Sequence, residues 1–214
     1  MVPSDRFARF LPLAGALAGL VFLTGLIVFR NDPPSESDVA ATFDYWADDQ
    51  GQHRIVALIL TPLMGFLLIF FGSGLKRRLE HGSGDSGHGT VAFGGAILAA
   101  GTFVLVGMLE AAMTNAADEG NREAVYTLNQ LHSYDWVAWN AGFGALLLAT
   151  GLGALRNGMF PKLLAWATVV IGAALLTPFG FFGFILLPLW LVVSGLWLTF
   201  RDRAAFRAPV TSST

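Results

Sequence analysis

The stretch Leu163–Phe200, LLAWATVVIGAALLTPFGFFGFILLPLWLVVSGLWLTF, contains no charged residue. A helix that crosses a bilayer needs about 20 mostly apolar residues, so this run is too long for one span. Thr177-Pro178-Phe179-Gly180 interrupts it. Proline removes a helix donor and clashes with the preceding turn, and glycine supplies turn conformations. The run therefore reads as two short helices, Leu163–Leu176 and Phe181–Phe200, joined by a tight hairpin.

Four more apolar runs precede it: Phe10–Phe29, Ile55–Leu75, Val91–Met113 and Tyr134–Leu155. The first follows Arg6 and Arg9, as a signal peptide would. Its apolar core is too long for that and no small-residue cleavage site follows, so it is expected to remain as a first helix. The second stops at Lys76-Arg77-Arg78 and the fourth at Arg156. Pro12, Pro62 and Pro188 are expected to start or kink helices. The predicted fold is all-α: a polytopic membrane protein with a six-transmembrane-helix bundle as one domain over residues 1–203. Residues 204–214 form a polar tail expected to be disordered.

Composition agrees. Only 13% of the 214 residues are charged and mean hydropathy is +0.59. A soluble domain carries about 25% charged residues, so too little charge remains to cover a water-facing surface. Gly, at 25 residues, suits helices whose backbones approach closely. A net charge of −2 points to no nucleic-acid partner. The chain has no cysteine, which excludes disulfides, thiolate metal sites and cysteine nucleophiles.

The loops orient the bundle. With the N-terminus in the cytoplasm, ten of the 13 Lys and Arg fall on cytoplasmic segments: Arg6, Arg9, Lys76, Arg77, Arg78, Arg156, Lys162, Arg201, Arg203 and Arg207. Only Arg30, Arg54 and Arg122 fall outside. Basic loops stay in the cytoplasm, which predicts both termini inside. Five or seven helices would put a terminal basic cluster on the wrong side. The loop from Glu80 to Gly89 reads as a flexible Gly/Ser linker in which His81 and His88 are solvated. It lacks the Gly-Lys-Ser/Thr ending of a phosphate loop.

Short surface helices are expected in the two longer outer loops. Ser35 or Ser37 could cap one running to Asp49, with Val39, Phe43 and Trp46 on one face. The second covers Asn121–Leu131 and could run on into the fourth span. Tyr45, Trp46, Tyr126, Tyr134, Trp136 and Trp139 all fall on the outer side, as an interfacial aromatic belt would.

Candidate chemistry lies at the same end. Glu110 falls about 28 Å along its span at 1.5 Å per residue, near the outer headgroups. His132 and Asp135, three apart, share a helix face. His53 and Arg54 open the second span at that level. The cluster His53, Arg54, Glu110, His132, Asp135 reads first as one polar network, with Arg54 against Glu110 or Asp135. His53, Glu110, His132 and Asp135 would also suit a divalent metal, although no metalloprotease spacing is present. No Gly-x-Ser-x-Gly, dinucleotide fingerprint or histidine ladder occurs, so no cofactor is expected and the catalytic residues stay open. Gly15 and Gly19 form a GxxxG pair suited to helix contact inside the bundle or in a dimer. Ser73-Gly74-Leu75, Thr150-Gly151-Leu152 and Ser194-Gly195-Leu196 form a faint repeat near the cytoplasmic helix ends.

The stretch Trp139-Asn140-Ala141-Gly142-Phe143-Gly144, the leucines 146–148, and Leu155-Arg156-Asn157-Gly158-Met159-Phe160-Pro161-Lys162-Leu163-Leu164-Ala165-Trp166 with Gly172 resembles a bacterial family of six-helix membrane proteins known only as a domain of unknown function. The resemblance implies that topology and an inner-membrane location, and carries no activity or site residues. Three functions stay open: a structural, accessory or regulatory membrane protein that meets lipid and other membrane proteins or itself; a small transporter or channel component; and an outward-facing enzyme using the His/Glu/Asp cluster. Transport needs a polar path, for which Thr61, Thr102, Thr150, Thr168 and Ser194 are the available lining.

Overall fold

The computed structural model describes residues 10–28, 38–83, 87–178 and 180–207, and every regular element among them is helical. In order these are α1 (Leu11–Val28), α2 (Val39–Ala47), α3 (Gln50–Ile55), α4 (Thr61–Ser83), α5 (His88–Asp118), α6 (Arg122–His132), α7 (Trp136–Asn157), α8 (Lys162–Leu175) and α9 (Gly180–Arg207). A π-helical segment, Val56–Leu60, joins α3 to α4 without a break. The helices Gln50–His81, His88–Asp118, Arg122–Asn157 and Gly180–Arg201 are long and apolar enough to cross a membrane. Leu11–Ile27 and Lys162–Leu175 are apolar but shorter. Leu20, Phe66, Met108, Leu163 and Val170 stand exposed on the outside. Such an exterior suits lipid and supports a membrane protein.

Successive long helices alternate in direction. The end of α4 meets the start of α1, where Gly74 lies against Leu11. Gly153, late in α7, lies against His88 at the start of α5. Arg201, late in α9, donates to the carbonyl oxygen of Gly158 in the α7–α8 turn at 2.8 Å. One end of the bundle therefore collects Arg78, His88, Gly158 and Arg201. The opposite end carries α2, α3, α6 and the end of α5.

Helix ends depart from the apolar windows. The second and third runs read as Ile55–Leu75 and Val91–Met113, yet the helices extend over Gln50–Ser83 and His88–Asp118. Hydropathy marks where apolar side chains stop. The backbone hydrogen-bond ladder continues as long as nothing breaks it. The Gly/Ser linker is invaded from both sides: His81 lies in α4, its Nδ1 2.6 Å from the Arg77 carbonyl oxygen, and His88 opens α5. Residues 84–86 lie outside the described residues. α9 continues to Arg207, into the segment read as tail, whose remainder is also outside them. The break after α8 falls at Leu176–Pro178, where the proline and glycine put it.

Pro62 sits in the first turn of α4, and the π segment before it continues the helix without a break. It has no N–H for the carbonyl four residues back, and its ring crowds that group. The π segment immediately before it absorbs the mismatch, and the Thr61 N–H bonds the Val56 carbonyl five residues back. At the α7–α8 turn, Gly158 takes φ +67, a left-handed conformation that glycine adopts without a Cβ penalty, and its N–H donates to the Ala154 carbonyl at 2.9 Å.

The core contains Leu68, Phe71, Leu75, Phe143, Leu146, Leu187 and Leu191, all essentially inaccessible. Between these large side chains, backbones meet directly. A Cβ on Gly95 of α5 would stand 2.7 Å from the Gly142 carbonyl oxygen of α7, and one on Gly142 would stand 2.6 Å from the Ala99 nitrogen. The GxxxG pair of α1 is used within the bundle, on two partners. A Cβ on Gly15 would lie 2.5 Å from the Phe71 ring of α4, and one on Gly19 would lie 2.5 Å from the Pro188 carbonyl oxygen of α9.

Gly95→Ala should therefore lower the stability measured by thermal unfolding in mild detergent by about 1–3 kcal/mol, the usual effect of overpacking. Gly101→Ala in the same helix meets nothing within 4 Å and should be neutral or stabilising by up to about 1 kcal/mol. Equal responses would contradict the close α5–α7 contact.

Candidate functional site

Two layers occupy the α2/α6 end, a cap and a cavity beneath it. The cap starts at α2, whose N-terminus is held by Asp38: its Oδ1 accepts from the Ala41 N–H at 3.0 Å. Ser35 and Ser37, the expected caps, lie outside the described residues. Of the expected stripe, Trp46 is buried, Phe43 is half-buried under the Arg122 guanidinium 5.1 Å from its ring centre, and Val39 is exposed. Trp46 packs on Met113, Ala116, Ala117 and Val125, so α5 and α6 close over α2. Its Nε1 donates to Oδ1 of buried Asn129 at 3.1 Å. Asp49 then turns the chain with φ 41, which aspartate tolerates better than most residues.

The structure distributes the expected polar cluster differently. Arg54 pairs with Asp118, the last residue of α5, and both side chains are more than a third exposed. Neither Glu110 nor Asp135 is its partner. The reason is helix length. α5 runs eight residues beyond Glu110, about 12 Å, and Arg54 meets that end. His53 donates from Nε2 to the Tyr45 carbonyl at 3.2 Å and lies tilted against Trp46, ring centres 4.7 Å apart. His132 Nδ1 lies 3.1 Å from Asp135 Oδ2, both side chains largely buried. Among the described residues no three His, Asp or Glu side chains gather as metal ligands. The four expected ligands do not converge: Trp46 lies between His53, which is tilted against it, and the His132 ring, which it meets edge-on at 6.2 Å, and His132 is taken up by Asp135.

Below the cap, Glu110 faces a cavity of about 180 Å³. Its walls include Phe22 and Gly25 of α1, Val56 and Leu60 of the π segment, Phe103 of α5, Trp139 of α7 and Phe184 of α9. Trp139 and Phe184 stack at 5.4 Å and also wall a neighbouring cavity of about 320 Å³ beside Asp135 and Asn140. Phe22 meets Phe103 and Phe184 edge-on at 5.8 and 5.1 Å. Two buried polar atoms here have no hydrogen-bond partner: Glu110 Oε2 and Trp139 Nε1. Buried polar groups are nearly always paired, so this pair marks a place where the chain leaves its polar chemistry incomplete.

Of the expected aromatic belt, Tyr134 and Trp136 are exposed, whereas Trp46 and Trp139 turn inward. Sequence reading missed Asn129, Asp118 and the inward role of Trp139. Asn129 did carry a signal: it lies at i, i+4 from Val125, on the same helix face, where a polar residue asks for a partner. Comparison with protein-family models, curated proteins and solved structures gives no match.

Asn129→Leu should strand the buried Trp46 N–H at a cost of about 1–3 kcal/mol. Adding Trp46→Phe should recover part of that loss in thermal melts, because both polar partners are then gone; additive losses would show that the bond does not hold the cap. Arg54→Ala and Arg122→Ala should each cost at most about 1 kcal/mol, since exposed ion pairs contribute little. A much larger loss for Arg54 alone would mean its pair is buried.

Proposed function

We propose that this chain is a bacterial inner-membrane protein that crosses the bilayer six times with both termini cytoplasmic, and that its role is structural, accessory or regulatory. The topology rests on the distribution of Lys and Arg and on the resemblance of the Trp139–Gly172 stretch to the bacterial six-helix family. The apolar outer faces of α1, α5 and α8 suit lipid, other membrane proteins or a second copy of the chain.

The observation that carries the role is the wiring of the buried hydroxyls. Thr61, Thr102 and Thr168 donate to the carbonyls of Ala57, Leu98 and Leu164 in their own helices at 2.8, 2.9 and 2.7 Å. Thr168 also accepts from the Trp190 indole at 2.7 Å, and Ser194 donates to Leu191 at 3.3 Å. A transport path needs polar groups turned toward a shared lumen. These four turn back onto their own backbones. Thr150, the fifth expected lining residue, is buried with its hydroxyl unpaired, and one polar group does not make a continuous lining, so the transporter reading loses support. The enzyme reading loses support as well, because the expected histidines are held by Tyr45 and Asp135 instead of meeting at a common reacting point.

The chain's lack of cysteine makes the test clean. Cysteine at Thr127 should react with an impermeant thiol reagent in intact cells, and cysteines at Ser83 and Ser212 should not. Cysteines at Thr61 and Thr150 should stay unreactive toward a small water-soluble thiosulfonate. Reaction at both would reveal a wet path and overturn the non-transporting reading; outside labelling of Ser83 would overturn the topology.

A further inference from the structure

We propose that the Glu110 cavity binds a lipophilic primary amine, with the ammonium against Glu110 and the apolar tail leaving between α1 and the π segment. The inference rests on the membrane reading only for the source of the ligand, since the site itself is intramolecular.

Three observations carry it. First, Glu110 Oε2 is buried and without a hydrogen-bond partner, whereas Thr61, Thr102 and Thr168 pair their hydroxyls within their own helices. A carboxylate there needs donors and a positive charge. Among the described residues, the arginines at this end are engaged elsewhere: Arg54 on Asp118 and Arg122 over the Phe43 ring. His132, the other basic neighbour, sits against Asp135. Second, the walls are aromatic. Phe22, Phe103, Trp139 and Phe184 form one edge-to-face and stacked group. Ring faces attract organic cations, most strongly where water is excluded. A carboxylate beside several rings favours an ammonium over a neutral alcohol, which would gain the hydrogen bond alone.

Third, the cavity has room and an exit for the tail. A Cβ added at Gly25 would meet nothing within 4 Å, although Gly25 lines the cavity. Gly25, Leu26, Val56 and Leu60 make an apolar rim where α1 and the π segment touch sparsely. The π segment that forms one side of that rim is a widened turn, a feature common at ligand sites. A volume of about 180 Å³ holds an amine head and the first part of one chain. It does not hold a two-chain lipid, whose tails would stay outside the rim.

The test uses the full-length protein in a nonionic maltoside micelle, with decylamine and decanol as probes read by thermal unfolding. Decylamine, protonated at neutral pH, should raise the Tm saturably, and decanol should bind at least about tenfold more weakly. Glu110→Gln keeps the side-chain shape and should lower decylamine affinity by about tenfold or more, leaving decanol unchanged. Gly25→Leu should fill the cavity and abolish the decylamine response without lowering the Tm of the free protein. Should the Gln variant not fold, Gly25→Leu decides alone. Equal binding of amine and alcohol, a Gln variant that binds decylamine as wild type does, or an undiminished response in Gly25→Leu would each overturn the proposal. Free amines and phosphatidylethanolamine share the primary ammonium. In lipid nanodiscs, competition by phosphatidylethanolamine against decylamine assigns the lipid as source, and undiminished decylamine binding assigns the free amine. Because none of these readouts depends on sidedness, failure here leaves the topology standing, and failure of the labelling experiment leaves this site standing.

Discussion

A chain with so few charges and an apolar flank cannot rely on water for its backbone, so each N–H and C=O must be satisfied inside its own helix. That constraint decides the rest. Helices that satisfy themselves have no polar reason to associate, and in an apolar surrounding little hydrophobic drive either, so close van der Waals contact has to do it. Glycines placed face to face with a neighbouring backbone provide that contact: Gly95 with Gly142, Gly19 with Pro188, and Gly195 with Pro12. Large side chains such as Phe71, Phe143 and Leu191 fill the space between. The same constraint turns threonine hydroxyls onto the preceding turn of their own helix.

The cap answers a different need. At the α2/α6 end the helices stop, polar groups appear, and the bundle would otherwise open. Trp46 closes it by combining the area of an indole with one buried hydrogen bond to Asn129. The charged pairs there contribute less, because Arg54 and Asp118 remain wet. The polar network read from helix depth thus divides into an exposed pair, a His132–Asp135 contact and Glu110, which feels the charges of both His132 and Asp135 but has no hydrogen-bond partner for Oε2 over an aromatic cavity. Only the last is unusual, and it is where the chemistry of a ligand is most readily argued.

The helical class was legible because an uncharged run interrupted by Thr177-Pro178-Phe179-Gly180 has few other readings, and the break after Leu175 falls there. Helix ends were less legible. His88, Arg54 and Asp118 lie where hydropathy has already fallen but the backbone ladder has not stopped, so partners were assigned one or two turns off. Trp139 and Tyr134 look alike in sequence, five residues apart on one outer segment. Which of them faces inward depends on where α1 and α9 place Phe22 and Phe184, and that is long-range information.

The central claim is that close helix contact continues along α5 and α7 to the first residue of α5, where the sequence reads as linker. A cysteine pair at His88 and Gly153 tests it most directly. The Cβ of residue 153 would stand 3.2 Å from that of His88, and the nearer obstacle, at 2.5 Å, is the end of the buried Leu79 side chain, which must shift to admit it. Bonded cysteines place their Cβ atoms about 3.5–4.5 Å apart, so a slight opening suffices. The account predicts that mild oxidation of the otherwise cysteine-free protein gives an intramolecular disulfide in nearly every folded molecule, seen as one mass loss of two hydrogens. Two free thiols persisting in folded protein under the same oxidation would contradict it.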